Sequence, residues 1–300
     1  MTSAPRSPLH FDFGKNWEDF SRNSLDPEKV RQAQADFQKL VAGIPLENRS
    51  FLDIGFGQGL SLLSAASGGA QCLGIDINPR CLQVLEENRK AFFPGIANER
   101  ISRFQGSILD PESIQKLRAH RLSNNGQFDI VHSWGVLHHS GSMLQAIRNS
   151  AALVAERGYL VLAIYQTHWS SALWKRIKYL YNRSPAFVRP LWIWLFYPVI
   201  YLAKWIVTGE NPKSKNRGMD FYHDVVDWVG GHPYEYADQA EVTRYLSELG
   251  FDLIRFHPPT TPIGCMEFVF RKTNKCTKSE ARIAALGAPP DDSQGAGEGE

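Results

Sequence analysis

The 300-residue sequence contains few cysteines and lacks a strong excess of charge of either sign. Its four cysteines form no CxxC pair and no ligand-like cluster, which argues against a disulfide-bonded secreted domain or a zinc ribbon. Lys and Arg number 33 against 31 Asp and Glu, so composition gives no general argument for a nucleic-acid partner. The first residues also lack the basic-then-apolar pattern of a signal peptide. These absences favour a reduced, cytoplasmic setting.

The sequence has one long apolar run, residues 187–207, which reads FVRPLWIWLFYPVIYLAKWIV. It is long enough to raise the question of a membrane-spanning helix. Pro190 and Pro198, together with Arg189 and Lys204, disfavour a straight uninterrupted span. The pattern predicts instead a buried or interfacial helical hairpin. Peripheral membrane contact through 187–207 stays open, because Trp and Tyr favour the headgroup region of a bilayer.

Short apolar runs alternate with helical patterns over the first half of the chain. The predicted strands are 50–55, 71–77, 101–107, 128–134 and 158–165, and the helices between them are 59–67, 79–92, 111–120 and 142–155. This alternation predicts an α/β protein with a doubly wound, mostly parallel sheet. A final helix, 238–250, precedes two close strands, 251–258 and 265–272, which are predicted to form an antiparallel pair at the sheet edge.

The chain divides into three predicted regions. Residues 1–45 form an N-terminal arm and a helix that begins at Asp26-Pro27-Glu28, an N-cap with proline at the first helical position. Residues 46–272 form the main domain, with a helical insertion at 166–237 after the fifth strand. Residues 273–300 lose apolar periodicity and are predicted to be a disordered tail.

A glycine-rich turn follows the first strand in the pattern DxGxGxG, from Asp53 to Gly59. Glycine lets the backbone turn tightly and approach a ligand, and the second strand ends in Asp76, whose carboxylate can accept hydrogen bonds from ribose hydroxyls. The alternatives are a plain strand–helix turn and a dinucleotide site. In a dinucleotide site the third glycine of GxGxxG would fall on Leu60. An acid beside the turn also suits a cationic amino-acid ligand better than a pyrophosphate.

With these motifs the chain resembles the class I S-adenosylmethionine-dependent methyltransferases, from about Ser50 to Tyr165 and more weakly to Lys272. The resemblance implies a Rossmann-like seven-stranded sheet whose last strand is antiparallel, and S-adenosylmethionine as cofactor. Ser107 stands where the family usually has an acid that contacts the adenine. The cofactor-binding residues that the resemblance implies are Asp53, Gly55, Phe56, Gly57 and Gly59 for the methionine part, Asp76 and Ile77 for the ribose and adenine, and Ser107, Ile108, Ser133 and Trp134.

The fourth strand and its continuation, residues 128–149, resemble the corresponding motif of quinone-type and other small-molecule methylases. His132, Ser133 and Trp134 end this strand, and Trp134 is predicted to cover the cofactor. His138 and His139 follow. An oxygen nucleophile must lose a proton, and a histidine near its usual pKa accepts one at neutral pH. We therefore expect His138 to act as base or to orient the acceptor, with His139 secondary; bracing of the next helix is the alternative.

The insertion is predicted to select the acceptor. Residues 219–237 resemble a pattern found in bacterial methyltransferases linked to lipid, quinone or polysaccharide metabolism, and the predicted acceptor lid is aromatic with a few polar groups. If helical, the pairs Asp224/Asp227 and His232/Glu235 would each share a face. The alternative is a salt-bridged connector. The predicted substrate-binding residues are Arg217, Asp224, Asp227, His232 and Glu235, with His223 as a further catalytic candidate.

The predicted activity is methyl transfer from S-adenosylmethionine to an oxygen, rather than a carbon or nitrogen, of a small-molecule or lipid-like acceptor. Two alternatives stay open: an inactive scaffold or membrane-peripheral protein of the same fold, and an RNA methyltransferase. Aromatic–basic interleaving suits RNA, but the missing positive bias argues against nucleic acid. A metal site from His223, Asp224, Asp227 and His232 is not expected, because no known ligand spacing is reproduced.

Overall fold

The computed structural model describes residues 10–213 and 220–273, and within them seven strands form one mixed sheet. The strand order is β3-β2-β1-β4-β5-β7-β6, and β7 alone of these seven runs opposite to the other six. The predicted doubly wound sheet with an antiparallel last strand is therefore confirmed. The strands are β1 (Ser50–Ile54), β2 (Gln71–Asp76), β3 (Ile101–Gln105), β4 (Phe128–Trp134), β5 (Val154–Tyr165), β6 (Phe251–His257) and β7 (Cys265–Lys272).

Helices cover both faces of this sheet and extend beyond it. Six of them match predicted elements closely: α2 (Pro27–Leu40), α3 (Leu60–Ser67), α4 (Pro79–Phe92), α5 (Pro111–Ala119), α6 (Met143–Ala152) and α10 (Gln239–Glu248). The Asp26 side chain accepts a hydrogen bond from the Lys29 amide, and Pro27 occupies the first turn, so α2 begins as its cap predicts. The remaining helices are α1 (Phe13–Asn23), α7 (Ser171–Arg183), α8 (Arg189–Thr208) and α9 (Phe221–Gly230).

Alternate residues of each strand pack on opposite faces of the sheet, as a period of two requires. Leu52 of β1 packs with α6 and α10, whereas its neighbour Phe51 packs with α2 and α3. A third apolar cluster lies within the insertion, where Ile193 and Ile200 of α8 contact Val225 of α9. The sheet therefore has two covered faces, and the insertion has a small core of its own.

The strand order reverses between β1 and β4, since β1 leads outward to β2 and β3 on one side and β4 leads to β5 on the other. Ligands of open α/β sheets bind in the crevice at such a switch point, beyond the carboxyl ends of the strands. The predicted glycine turn and the paired histidines both follow strands at this point.

The predicted hairpin at residues 187–207 is wrong, because α8 is one continuous helix of 20 residues. Pro190 lies in the first turn, where its missing N–H costs nothing, and Pro198 lies within the helix without ending it. The helix is also largely exposed rather than buried: only 11% of its apolar window is covered by the protein. By length and composition it is the one helix, within 10–213 and 220–273, that could cross a membrane.

Of the two residue pairs predicted to share a helical face in the insertion, the structure supports one. Asp224 and Asp227 share helix α9 as expected, but His232 and Glu235 follow that helix in irregular backbone and share no helical face. Arg217 and the tail beyond Thr273 lie outside the described residues.

Candidate active site

The turn after β1 has the backbone geometry that its glycines predict. Gly55, Gly57 and Gly59 have φ of 74°, 55° and 84°, a left-handed region that other residues rarely adopt. A Cβ on Gly55 would lie 2.4 Å from the Val136 side chain, in the loop that follows β4. Residue 55 must therefore be glycine for two reasons, and the loop after β4 packs directly on the turn.

Asp76 lies at the end of β2 and faces the same turn. Its Oδ2 accepts a hydrogen bond from the Gly57 amide at 2.9 Å, and its Oδ1 accepts one from the Asn78 amide at 2.8 Å. Burial raises the pKa of this carboxyl above its usual value. Each carboxylate oxygen has two lone pairs, so both can still accept from ribose hydroxyls. The neighbouring Ile77 is 51% exposed, which leaves an apolar surface for the adenine ring.

Asp53 forms a buried pair with His132 on the adjacent strand, where the two residues are in register. The distance from Asp53 Oδ1 to His132 Nδ1 is 2.7 Å, and each residue is 2% exposed. The other carboxylate oxygen, Oδ2, has no hydrogen-bond partner in the described structure. An unsatisfied buried carboxylate oxygen is costly, and a cationic amino-acid ligand is a partner that would satisfy it. The residues present thus fit S-adenosylmethionine at this turn.

Four other predicted cofactor residues have side chains that are buried or already hydrogen-bonded within the protein. Phe56, in the glycine turn, is buried against Gly74, and Ile108 packs in the core, so neither side chain is exposed for a ligand. The Ser133 hydroxyl is fully buried and donates to the Ile54 carbonyl, which braces β4 against β1. Ser107 is half-buried, and its Oγ accepts a hydrogen bond from the Leu109 amide.

The prediction that Trp134 covers the cofactor is also not supported by its position. Its indole Nε1 donates to Glu267 Oε1 at 2.8 Å, and Glu267 belongs to β7, beyond β5. The ring therefore extends across β5, on the side of β4 opposite to the glycine turn.

His138 and His139 form a short 3₁₀ turn after β4 and are both buried. His138 Nδ1 accepts a hydrogen bond from the Tyr165 amide at 3.3 Å, which assigns the ring hydrogen to Nε2. His139 has the opposite arrangement: Nδ1 lies 2.6 Å from the Pro233 carbonyl, so Nδ1 carries the hydrogen and Nε2 has the lone pair. These hydrogen bonds leave His138 a donor, which fits the predicted option that it orients the acceptor, and leave His139 an acceptor.

The electrostatics keep both histidines neutral. Burial lowers the pKa of His138 well below its usual value, and the neighbouring His139 and Lys178 lower it further. Burial and Lys178 lower the pKa of His139 to about 3. Both rings are therefore uncharged at physiological pH.

Sequence reasoning missed the buried lysine beside these rings. Lys178 of α7 is fully buried, its Nζ donates to the Trp228 carbonyl, and it lies 4.3 Å and 4.8 Å from the ring centroids of Trp228 and Tyr234. Burial lowers its pKa to about 7. The Tyr165 ring lies 4.0 Å from His138 and 5.3 Å from Tyr234. The histidine–aromatic cluster, as we name it, comprises His138, His139, Tyr165, Lys178, Trp228 and Tyr234.

Sequence reasoning also missed helix α1, which contacts both the glycine turn after β1 and the histidine turn after β4. A Cβ on Gly57 would lie 3.2 Å from Trp17 Nε1, and the Phe13 ring lies 4.8 Å from the His139 ring. Asn16 donates to Asp227 Oδ1 at 2.7 Å, which joins α1 to α9. The available signal was the cap residue Asp12 followed by aromatic residues at helical spacing, Phe13, Trp17 and Phe20.

The predicted catalytic role of His223 is wrong, because both of its ring nitrogens are already bonded. Nδ1 lies 2.7 Å from Asp220 Oδ2 and Nε2 lies 2.9 Å from Asp19 Oδ2. Although burial lowers the pKa of His223, these two carboxylates raise it above its usual value overall. The histidine therefore joins α9 to α1 and does not face an acceptor.

Other predicted substrate residues hold the insertion in place. Asp224 forms an ion pair with Lys204, which fixes α9 against α8, and Glu235 accepts hydrogen bonds from the Met143 amide at the start of α6. A carboxylate is stabilised at that helix end. The His232 carbonyl accepts from the Phe11 amide. Asp227 lies on the same helix as Trp228 of the histidine–aromatic cluster, and burial raises its pKa to about 7. In the described parts of the chain, no group of three or more His, Cys, Asp or Glu residues could hold a metal ion.

Comparison with known proteins gives a consistent picture. A family model described as a methyltransferase domain matches residues 28–255. The chain is 31% identical over 108 residues to a provisionally named protein N5-glutamine methyltransferase, one that acts on protein by its name, from Methanocaldococcus jannaschii, covering 36% of this chain and 46% of that one. It is 29% identical over 206 residues to the tRNA U34 carboxymethyltransferase of Aliivibrio salmonicida, covering 63% and 59%. The chain thus spans about half the length of these curated relatives.

Among solved structures, the fold is similar to magnesium protoporphyrin IX methyltransferase from Synechocystis PCC 6803, crystallised with bound SAM. The TM-score is 0.51 at 13% identity, and the alignment covers 91% of this chain and 100% of that one.

Proposed function

Because the chain belongs to the methyltransferase-domain family and is an S-adenosylmethionine-dependent methyltransferase, we propose that it methylates an oxygen of a small-molecule or lipid-like acceptor. The observation that carries this proposal is the buried histidine–aromatic cluster beside the glycine turn. The cluster is apolar and aromatic, with a few oriented polar atoms, as small-molecule sites are. His138 Nε2 in particular is buried and has no partner in the described structure.

The orientation of each ring assigns a role. When bound, S-adenosylmethionine supplies a sulfonium methyl group, which the acceptor oxygen attacks in line as the methyl–sulfur bond breaks and the sulfur keeps the electron pair. The acceptor hydroxyl donates a hydrogen bond to His139 Nε2, the lone pair that the Pro233 bond leaves available. Because the pKa of His139 is about 3, the ring positions the oxygen and does not keep the proton, which passes to solvent as the methyl–oxygen bond forms. His138 donates from Nε2 and orients the acceptor oxygen. Lys178, when protonated, stabilises the negative charge that develops on that oxygen.

Transfer of a labelled methyl group tests the acceptor class. The purified protein is incubated with methyl-labelled S-adenosylmethionine and an extract separated into lipid, small-metabolite, RNA and protein fractions. Label in the lipid or small-metabolite fraction supports the proposal. Label in RNA or protein, the substrates that the curated relatives' names indicate, overturns it. Absence of label in every fraction contradicts it in favour of an inactive scaffold.

Paired substitutions test the roles of the two histidines. We expect His139→Gln to lower kcat about 100-fold, because loss of the ring misplaces the reacting oxygen and a displacement of about 1 Å can cost that much. His138→Gln keeps a donor nitrogen on a flexible side chain, so kcat should stay within about tenfold of wild type. Both variants should bind S-adenosylmethionine normally by calorimetry, and His257→Ala, on β6, is the control. The assignment is wrong if His138→Gln is the more damaging of the two.

A further inference from the structure

Helices α7 and α8 expose many apolar side chains to solvent. Trp194 is 78% exposed, Ile206 is 72% exposed, and Phe187 between the two helices is 81% exposed. Isolated exposed apolar residues are ordinary, but exposed residues spaced three or four apart along α8 share one side of the helix, and such a patch marks an interaction surface. The α7–α8 face, as we name it, comprises Leu173, Leu180, Phe187, Leu191, Trp194, Leu195, Val199, Leu202, Trp205, Ile206 and Val207, all more than half exposed.

The opposite side of α8 is fixed to the protein along its length. Ile193 and Ile200 lie on the side of α8 away from the exposed residues, and both are buried against α9 and its neighbours. Lys204 is paired with Asp224 on the same inner side, near the end of the helix. A helix that crosses a bilayer has lipid or other spanning helices on every side, whereas here one side of α8 remains packed on α9, with the Lys204–Asp224 ion pair near its end. This arrangement suits a helix that lies in the plane of the interface.

The charges of this region are all of one sign. From Arg157 to Gly209 the sequence contains no Asp or Glu, although the whole chain is nearly balanced. Lys175, Arg176 and Arg183 of α7 are exposed beside the apolar residues. Tryptophan and basic side chains together are the composition that partitions into the headgroup region of an anionic membrane.

We propose that the α7–α8 face docks on an anionic lipid surface, with α8 lying parallel to the membrane. Lys178 lies on the buried side of α7, so docking brings the histidine–aromatic cluster close to the bilayer. An acceptor dissolved in the lipid could then reach the cluster without crossing water. The docking does not depend on the proposed acceptor, since it is measured without catalysis.

Vesicle flotation tests the docking directly. The purified full chain is mixed with vesicles of phosphatidylcholine alone or with 30 mol% phosphatidylglycerol, about the anionic content that attracts basic segments. We expect binding to the anionic vesicles, with loss of binding in 0.5 M salt, roughly the range in which screening removes surface attraction. The double variant Trp194→Glu/Ile206→Glu should abolish flotation. Lys175→Glu/Arg176→Glu should weaken it more than about 25-fold, at about fivefold for each basic residue lost.

The matched control is Ile254→Glu, an exposed apolar residue on the edge strand β6, which should float as wild type does. Circular dichroism checks that every variant is folded. Equal binding to neutral vesicles, or no binding at all, overturns the proposal. Protein that resists carbonate extraction from vesicles also overturns it, because α8 would then span. A dimer in light scattering that Trp194→Glu/Ile206→Glu dissociates, without vesicle binding, assigns the face to a second copy and likewise overturns the proposal.

Discussion

Lys178 is the residue whose charge changes near neutral pH and should affect the reaction rate. Its pKa is about 7 because burial disfavours the ammonium form, although Asp227 and Asp224 oppose this shift. Above that pH the cation is lost, and with it the stabilisation of a developing negative oxygen. The charge of this one side chain should therefore appear in the pH profile.

We expect Lys178→Met to lower kcat/KM at least about tenfold at pH 6, the scale of one hydrogen bond to a charged group. The ratio of wild-type to variant activity should fall toward one as pH rises through about 7. The ratio cancels any ionisation of the acceptor. Lys39→Met, at an exposed lysine of α2 outside the α7–α8 face, is the control and should show no change. A ratio that is constant from pH 6 to 9 would contradict a role for the charge.

For single residues, the sequence predicted the roles that depend on the local backbone. It did not predict the roles that depend on a hydrogen-bond partner far along the chain. Gly55 and Asp76 were identifiable because the turn and the strand end position them within a few residues. The roles of His138 and His139 depend on bonds to Tyr165 and Pro233, far along the chain. His223 was misassigned for the same reason, since its decisive partner, Asp19, lies 204 positions away.

Among the elements, α1 and α9 are held together by a titratable contact. His223 is bonded to Asp19 of α1 and to Asp220 at the start of α9, and its pKa is raised overall. Its contribution to stability is complete below the unfolded pKa of about 6.5 and is lost as pH rises through the folded value. Closure of α1 over the site should therefore weaken at alkaline pH.

Hydrogen exchange measures this closure. Protection of the α1 amides, corrected for intrinsic rates, should fall between pH 6 and pH 9 by about tenfold for each unit by which the His223 pKa is raised. In His223→Gln this pH dependence should disappear. The amides of α2, which make no contact with His223, provide the internal reference. If α1 and α2 lose protection equally, the effect is global and the contact is not its cause.

A sequence pattern predicts an element well when the element is repeated or strongly capped. It predicts an element less well when contacts with the rest of the protein determine its conformation and exposure. The strands and helices of the sheet followed from alternation alone. Helix α8 was predicted as a hairpin because proline usually ends a helix, yet Pro190 lies in a permissive first turn and Pro198 is accommodated on an exposed helix. Its exposure depends on what α7 and α9 leave uncovered, which no local pattern contains.

At the scale of the whole molecule, the strand order brings the glycine turn after β1, the end of β2 and the histidine turn after β4 to one crevice, and α1 lies over it. The order reversal between β1 and β4 was predictable, because right-handed crossovers and short connections leave few arrangements. The position of α1 over that crevice was not predictable, since it depends on side chains of α9, some 200 residues away. A ligand bound there contacts the sheet and lies beneath α1, so binding and global stability should be coupled.

This coupling gives a prediction for the intact protein. A ligand at about 100 times its Kd stabilises the native state by about 2.7 kcal/mol. In a protein of this size that corresponds to a rise of at least about 5 °C in Tm. We expect such a rise with S-adenosylmethionine or its demethylated product and none with NAD, measured by scanning calorimetry. In Asp76→Asn the shift should shrink by more than half, whatever the Tm of the free variant, because the ribose loses a carboxylate acceptor. A larger shift with NAD than with S-adenosylmethionine would mean that the glycine turn binds a pyrophosphate, and that the unsatisfied Asp53 oxygen has no cationic ligand to accept from.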